Sequence, residues 1–268
     1  MDRELPEISL DGTRFIIDVA FAELRQKDDP LNCISFYDME SDGYEYFFDY
    51  DCLSKRLATD HTEEADRITL RLDHMAELDP EGMRLKYNIR DSYLPECDED
   101  FTADPELFEQ RLAGKLPIIE ICGSPYIVDL DLRQLRMEGK ADHIIYLDAL
   151  EKPSVGDKYI CYYDTLQKIS VHIPETETRL PEHVKMVLVP NDYHMDAVGY
   201  ARAVGMPEDF YFECHPVQPM LQARDYPVSL SPLGRRIAEN LKKEQTNQQP
   251  EQATHQDKPT QRKRGRHL

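Results

Sequence analysis

Residues 6–25 read PEISLDGTRFIIDVAFAELR, and residues 117–136 read PIIEICGSPYIVDLDLRQLR. The two stretches align without a gap, and seven of the 20 positions are identical, whereas residue frequencies give about one match by chance. In both, alternating polar and apolar residues lead through a glycine turn into a second apolar run. The pattern predicts a β-hairpin in each stretch, with a type I′ turn at Asp11-Gly12, and indicates that one unit occurs twice.

Two further pairs of segments extend the match. Residues 50–55, YDCLSK, correspond to residues 163–168, YDTLQK, and residues 78–89, LDPEGMRLKYNI, correspond to residues 195–206, MDAVGYARAVGM. The offset between the copies grows from 111 residues at the hairpins to 113 at the YDCLSK segment. This change places a small length difference in the connecting loops, where insertions are tolerated best.

Aspartate and serine residues mark the starts of four predicted helices. Asp79 and Asp196 stand at matched positions, and an N-cap side chain of this kind accepts a hydrogen bond from the first helical turn. Asp104 and Ser231 are each followed by proline, which is favoured in the first turn, so they predict a last helix in each copy.

These matches predict an α+β fold made of two tandem copies of a small, mostly antiparallel β domain with short helices. The predicted units are residues 1–116 and residues 117–242, joined without a spacer. Residues 243–268 contain almost no apolar side chains and cannot bury a core, so we expect a disordered polar tail.

The chain has 268 residues and a formal net charge of −20, distributed unevenly. Residues 236–268 carry eight Lys and Arg against four Asp and Glu, so the preceding residues carry a net charge of −24. A body this acidic repels phosphates and anionic membranes. It fits a basic protein partner or simply a well-solvated surface, and we favour the solvated surface.

Neither a membrane span nor a secretion signal is indicated. No apolar run approaches the roughly 20 residues that a transmembrane helix requires, and the charged N-terminus MDRELPEISLDG does not resemble a signal peptide. The six cysteines form no CxxC pair and do not recur at matched positions, so we expect reduced thiols rather than disulfides or a zinc site. These features predict a cytoplasmic protein.

Four polar pairs recur at matched positions of the two copies. A duplicated ligand site would explain them, but turn formation and packing explain them more simply, and we favour the structural interpretation. The pairs are Asp18 and Asp129, Arg25 and Arg136, Asp51 and Asp164, and Lys55 and Lys168.

One run in the second copy has the residue types of a metal or acid–base site. Asp192, His194 and Asp196 are suitable ligands for a divalent metal, and an aspartate beside a histidine can orient a general base. Asp196 is also a predicted helix N-cap, however, so the run crosses from a loop into a helix. Its three side chains then do not lie on one face, as they would in a strand. The adjacent pair Cys214-His215 is weaker still, because neighbouring strand residues point to opposite faces.

No familiar catalytic motif is present, so we predict no catalytic residue, no metal ligand and no cofactor. A basic cluster in the tail is the predicted binding segment. It could contact nucleic-acid phosphates, but only weakly without a basic folded face, and a solvated or self-associating tail is favoured. The cluster consists of Lys258, Arg262, Lys263, Arg264 and Arg266.

Three segments of the sequence carry a resemblance to a known group of proteins. They are the double opening P-x-I…G…(F/Y)-I-(I/V)-D, the LDPEGM helix and the RLAGKLP junction at residues 111–117. The chain resembles a group of acidic tandem-repeat proteins from Bacteroidetes genomes, often encoded near mobile elements. The resemblance covers most of the first 242 residues. It implies a repeat architecture and a bacterial cytoplasmic setting, and it carries over no catalytic residue.

Three functions follow as hypotheses. What the two copies share is turns, strands and caps rather than a reactive set of side chains, so we favour a non-enzymatic acidic protein that binds or regulates another protein. The first alternative is a metal-dependent enzyme that uses Asp192, His194 and Asp196. The second is an acidic decoy of DNA-binding proteins, in which the charged body imitates phosphates.

Overall fold

The computed structural model describes residues 3–90, 93–153 and 158–248. These residues form short helices and four mainly antiparallel sheets, which confirms the predicted α+β class. We call the described residues up to 116 the first half of the molecule and those from 117 onward the second half.

A four-stranded antiparallel meander opens the first half. It consists of β1 (Glu7–Leu10), β2 (Thr13–Asp18), β3 (Glu23–Gln26) and β4 (Cys33–Ser35). Asp11 and Gly12 have φ angles of 44° and 74°, the left-handed pair that a type I′ turn requires, so the predicted hairpin is confirmed. Phe15 and Ile17 are buried and point into the core from one face of β2, whereas Arg14 is exposed and Ile16 only partly buried.

The long strand β6 organises the second sheet of the first half. It pairs with β8 along its whole length on one edge and with two short strands on the other. The strands are β5 (Glu40–Ser41), β6 (Glu45–Asp51), β7 (Arg56–Leu57) and β8 (Arg67–Asp73).

The second half has a similar order of elements, with no strand that corresponds to β5 and with two further strands, β16 (Leu221–Gln222) and β17 (Arg224–Pro227), among the described residues. Its first sheet contains β9 (Ile118–Ile121), β10 (Ser124–Asp129), β11 (Gln134–Met137) and β12 (Ile144–Tyr146), with β16 parallel to β9. Its second sheet contains β13 (Lys158–Asp164), β14 (Ile169–Ser170), β15 (Val184–Pro190) and β17. The predicted hairpin at the start is confirmed, because Cys122 and Gly123 have φ angles of 46° and 73°.

Six α-helices complete the described chain. They are α1 (Met75–Leu78), α2 (Pro80–Lys86), α3 (Pro105–Leu112), α4 (Asp192–Met195), α5 (Ala197–Val204) and α6 (Pro232–Gln248). The predicted caps of α2 and α5 are confirmed, because Asp79 accepts a hydrogen bond from Gly82 N and Asp196 from Gly199 N, both at 3.0 Å. The cap of α3 is confirmed as well, since Asp104 accepts from the Glu106 amide at 2.8 Å.

The predicted start of the disordered tail, residue 243, lies within α6. Ser231 caps α6 by accepting a hydrogen bond from Gly234 N at 2.9 Å, and the helix then runs to Gln248. The prediction of a disordered tail from residue 243 is therefore wrong for residues 243–248, which continue the helix. Residues 249–268, with the basic cluster, lie outside the described residues.

The two halves pack through their cores as well as through charges. The main apolar cluster of the first half is built from its own residues, with Phe15 and Tyr50 in edge-to-face contact at 6.3 Å. Phe21, in the β2–β3 loop, belongs instead to the apolar cluster of the second half and contacts the His194 ring edge to face at 5.9 Å. This insertion places the β2–β3 hairpin at the junction of the halves.

The longest helix of the described chain is α6, with 17 residues. It is rich in polar side chains, and none of the described helices combines the length and apolar character that crossing a bilayer requires.

Candidate binding site between the two halves

A buried carboxylate at the end of β2 joins the two halves. Asp18 is 0% exposed and accepts hydrogen bonds from Arg224 Nε at 2.7 Å and Nη2 at 3.0 Å, and it is also paired with Arg25. Burial alone would raise the pKa of Asp18, but the charges of Arg224 and Arg25 outweigh burial and hold the pKa well below its usual range. Asp18 is therefore ionised at neutral pH and bridges β2 to β17.

Glu23 extends this cluster to a lysine of the second half. Arg25 Nε donates to Glu23 Oε1 at 2.9 Å, and Glu23 also forms an ion pair with Lys158 at the start of β13. We call the resulting set the buried charge network; it comprises Asp18, Glu23, Arg25, Lys158 and Arg224. The network connects β2 and β3 of the first half to β13 and β17 of the second half, and removal of one member leaves its partners with uncompensated charge.

A cleft of about 310 Å³ opens beside the network. Its wall combines aromatic rings from both halves with Glu23 and Lys158 of the network and a partly buried thiol. We call it the interhalf cleft; it is lined by Phe21, Glu23, Cys33, Ser35, Tyr37, Asp38, Lys158, Pro190, Tyr193 and His194. Its volume falls at the lower end of the roughly 300–1,000 Å³ that is typical of sites for small molecules or single side chains.

The thiol in the cleft is held in its protonated form. Cys33 Sγ lies 3.7 Å from Lys158 Nζ, which would favour a thiolate. Burial, together with the neighbouring Glu23 charge, nevertheless raises the pKa of Cys33 above its ordinary value. Cys33 is thus a neutral thiol at physiological pH and not an activated nucleophile.

Two histidines near the cleft are held in their neutral form. The Nδ1 atom of His194 lies 2.9 Å from Asn191 Oδ1, an acceptor, so Nδ1 carries the proton and Nε2 carries a lone pair that has no partner in the described part of the chain. Burial, then the charges of His215 and Lys86, lower the pKa of His194 well below its ordinary value. Burial likewise lowers the pKa of His215 to about 3.

The structure separates the three residues of the alternative metal site. Asp192 accepts hydrogen bonds from Arg133 Nη1 at 2.6 Å and from the Tyr159 hydroxyl at 2.8 Å. Asp196 caps α5 and accepts from Arg111 Nη2 at 2.8 Å, so both carboxylates are committed elsewhere while His194 faces the cleft. Within the described ranges, no group of three or more His, Cys, Asp or Glu residues is placed to hold a metal ion. The geometry therefore contradicts the alternative of a metal site at Asp192, His194 and Asp196.

Cys214 contributes its backbone carbonyl and His215 its aromatic ring to the packing around Tyr37, rather than acting together as a reactive thiol–imidazole pair. The carbonyl oxygen of Cys214 accepts a hydrogen bond from the Tyr37 hydroxyl at 2.8 Å, and the thiol is exposed. The His215 ring contacts those of Tyr37 and Tyr193, with centroids 5.2 Å and 4.6 Å away. These contacts hold Tyr37 at the mouth of the interhalf cleft.

Most of the repeat-matched polar residues form turns, as the structural interpretation predicts. Asp51 accepts hydrogen bonds from two backbone amides of its own turn, and so does Asp164. Lys55 and Lys168 follow in left-handed conformations, with φ angles of 60° and 58°. Asp129 likewise accepts a hydrogen bond from a turn amide, whereas Asp18, its counterpart in the first half, belongs to the buried charge network.

Sequence reasoning did not identify the residues that build the cleft. Cys33 and Tyr37 stand in stretches without a motif, and Glu23 lies in the repeated stretch at a position where the copies differ, opposite Gln134. Lys158 and Arg224 reach the site from distant strands. The one available signal was the recurrence of Asp18 and Arg25, which indicates a structural pair but not its partners. The predicted tail residues Lys258, Arg262, Lys263, Arg264 and Arg266 lie outside the described residues.

Comparison with protein-family models, with curated proteins and with solved structures finds no match to this chain. We therefore infer the function from the geometry of the molecule.

Proposed function

We propose that this chain is a non-enzymatic acidic protein that binds or regulates another protein in the bacterial cytoplasm. We further propose that residues 1–116 and 117–242 are tandem copies of one α+β unit, and that the partner protein engages the interhalf cleft at their junction.

The order and chemistry of the elements support the tandem copies. Each half begins with a hairpin, a four-stranded meander and a 3-10 turn, continues with a long strand pairing antiparallel to another, and then forms two short helices. The second of these helices is capped by the same Asp–Gly contact in both, at Asp79–Gly82 and Asp196–Gly199. A duplicated unit would retain both the order of its elements and these local hydrogen bonds.

The observation that carries the binding proposal is the wall of the interhalf cleft. Phe21, Tyr37 and Tyr193 provide apolar surface from both halves, with Glu23 and Lys158 as charged groups beside it. Tyr37 is 45% exposed although its hydroxyl is held by a hydrogen bond, so its ring offers a rigid contact surface. Aromatic anchors around a small pocket are typical of the residues that dominate binding between proteins.

The protonation states in the cleft support a role without catalysis. A nucleophile or a general acid–base works best when its pKa lies near the working pH. Cys33 has a raised pKa, His194 a lowered pKa, and Lys158 a pKa that the ion pair with Glu23 raises in spite of burial. Each of these groups is thus moved away from the neutral range rather than toward it.

Replacement of Tyr37 by alanine should reduce capture of the partner at least about tenfold, because the change removes the exposed ring from the mouth of the cleft. The measurement is affinity purification from the native host, followed by titration of the captured protein against purified chain. Tyr146→Ala is the matched control, since Tyr146 is 55% exposed and does not line the cleft.

Equal binding by the Tyr37 and Tyr146 variants would contradict the assignment of the cleft. A second arm deletes residues 249–268 and keeps α6 whole. If only this deletion variant fails to capture the partner, the binding site lies in the basic tail rather than in the interhalf cleft. Circular dichroism of each variant confirms that a change in binding does not arise from unfolding.

A further inference from the structure

The interhalf cleft presents a negative charge that no cation of the wall neutralises. Asp38 lines the cleft and is exposed, and in the described part of the chain its carboxylate forms neither an ion pair nor a hydrogen bond. The other two charged residues of the wall, Glu23 and Lys158, form an ion pair with each other. Lys86 reaches the Tyr37 hydroxyl at 3.5 Å, but it is 2% exposed and does not line the cleft.

A 3-10 turn between β4 and β5 carries this carboxylate beside an aromatic ring. Ser35 caps the turn, since its Oγ accepts a hydrogen bond from the Tyr37 amide at 3.1 Å. The Tyr37 hydroxyl is fixed in turn by the Cys214 carbonyl. The Tyr37 ring and the backbone of Asp38 are therefore ordered before a ligand binds, which lowers the entropy that binding costs.

Aromatic rings continue from Tyr37 to the opposite wall of the cleft. The His215 ring contacts both Tyr37 and Tyr193, the Tyr193 ring lies 4.7 Å from that of His194, and His194 contacts Phe21. The lowered pKa values of the two histidines keep their rings uncharged at neutral pH, so they do not repel a cation. Aromatic faces attract cations, and the rings of the wall thus favour the same sign of charge as Asp38 does.

A second depression shares Asp38 with the cleft and is more acidic. Its volume is about 320 Å³, and its charged lining residues are Asp38, Glu40 and Asp49, with no Lys, Arg or His among the residues that the structure describes. Asp49 lies 3.5 Å from Arg67, whereas Glu40 is exposed and has no ion pair within the described ranges. The negative surface therefore extends beyond the cleft to β5, which suits a segment with more than one positive charge.

We propose that the partner protein presents a basic segment, and that an arginine of this segment enters the interhalf cleft, pairs with Asp38 and stacks on the rings of Tyr37 and Tyr193. This inference rests on the proposed function and adds the chemistry of the partner. Arginine fits better than lysine, because a planar guanidinium stacks on an aromatic ring while its N–H groups bind a carboxylate. The formal net charge of −20 would also attract a basic segment from a distance.

Two short peptides test the occupant without the unidentified partner. Acetyl-Gly-Arg-Gly-amide carries the guanidinium, and acetyl-Gly-citrulline-Gly-amide has nearly the same shape without the charge. NMR titration of the full chain, followed through the tyrosine ring resonances, should show at least about threefold tighter binding of the arginine peptide. Equal affinities, or binding of neither peptide, overturn the proposal.

Asp38→Asn tests the residue. The substitution keeps the shape and removes the charge, so it should weaken binding of the arginine peptide at least about threefold and leave that of the citrulline peptide unchanged. Asp131→Asn, at an exposed aspartate that lines neither the cleft nor the second depression, should change neither affinity. Circular dichroism confirms that both variants are folded. Equal affinity of the two variants for the arginine peptide overturns the role of Asp38.

Capture of the partner from the native host separates this proposal from the one on which it rests. Reduced capture by both Tyr37→Ala and Asp38→Asn supports both proposals. Reduced capture by Tyr37→Ala alone keeps the cleft as the binding site and overturns the arginine. Normal capture by both variants contradicts the cleft itself.

Deletion of residues 249–268 tests the other source of an arginine, the basic tail of the same chain. The deletion should leave the affinity for the arginine peptide unchanged. A gain of at least about tenfold would show that the tethered tail competes for the cleft, and it would overturn the assignment of the arginine to a partner.

Discussion

Replacement of Asp18 by asparagine should lower the free energy of unfolding by about 3–5 kcal/mol, because Arg224 and Arg25 lose the carboxylate that neutralises them inside the protein. Asparagine has almost the same shape and keeps an oxygen acceptor, so the effect reports the charge rather than a cavity. Urea unfolding at neutral pH, followed by circular dichroism, measures the change.

The repeat provides the control for this experiment. Asp129 is the residue that corresponds to Asp18 in the second half, but it is only half-buried and accepts one turn hydrogen bond, from Leu132 N at 3.0 Å. Asp129→Asn should therefore cost about 1 kcal/mol or less. Similar effects of the two substitutions would show that the buried charge network does not hold the halves together.

The features that sequence reasoning predicted correctly depend on neighbours along the chain. The hairpin at Asp11-Gly12 follows from the backbone conformations that these residues tolerate, and the caps at Asp79 and Asp196 follow from a hydrogen bond three residues away. Such local rules apply in each copy independently, so the recurrence of the pattern strengthens the prediction.

The features that it missed depend on residues far apart in sequence. Asp18 and Arg224 are 206 positions apart, and Glu23 and Lys158 are 135 apart, so no spacing rule connects them. The end of α6 was missed for a different reason. Composition shows that residues 243–248 cannot bury a core, but Lys, Glu and Gln are good helix formers and extend a helix that has already begun at Ser231.

The same distinction explains why the run from Asp192 to Asp196 was misleading. Its residue types suit a metal, but the local rule that makes Asp196 an N-cap turns its carboxylate toward the α5 amides. A distant residue, Arg111, then neutralises it. Only His194 of the three remains at the cleft, where a neutral ring packs against Phe21 at 5.9 Å.

Acidification should destabilise the protein well before its carboxylates are protonated. His194 and His215 have folded-state pKa values below the ordinary 6.5, lowered mainly by burial, and that of His215 is about 3. Between pH 6.5 and about 3 the unfolded chain therefore binds more protons than the folded one. The free energy of unfolding should fall with decreasing pH by at most about 1.4 kcal/mol per unit for each histidine.

The groups around the histidines keep this effect separate from that of the buried charge network. Lys86 is the nearby cation, and the rings of Tyr37 and Tyr193 enclose His215. Asp18, with its lowered pKa, supplies stability that is complete above its ordinary value of 3.8 and is lost only below that pH. The loss between about pH 6.5 and pH 4.5 thus reports the histidines rather than the network.

Urea unfolding at several pH values in this window measures the slope, and two substitutions assign it. His215→Gln should remove up to about 1.4 kcal/mol per pH unit, because glutamine cannot take up the proton that the folded state excludes. His61→Gln, at an exposed histidine on the surface of the first half, should leave the slope unchanged. His194 should keep its own share of the slope in this variant. If the slope is unchanged in the His215 variant, the His215 ring is already solvated in the native state, and the packing of Tyr37 against it would be wrong as well.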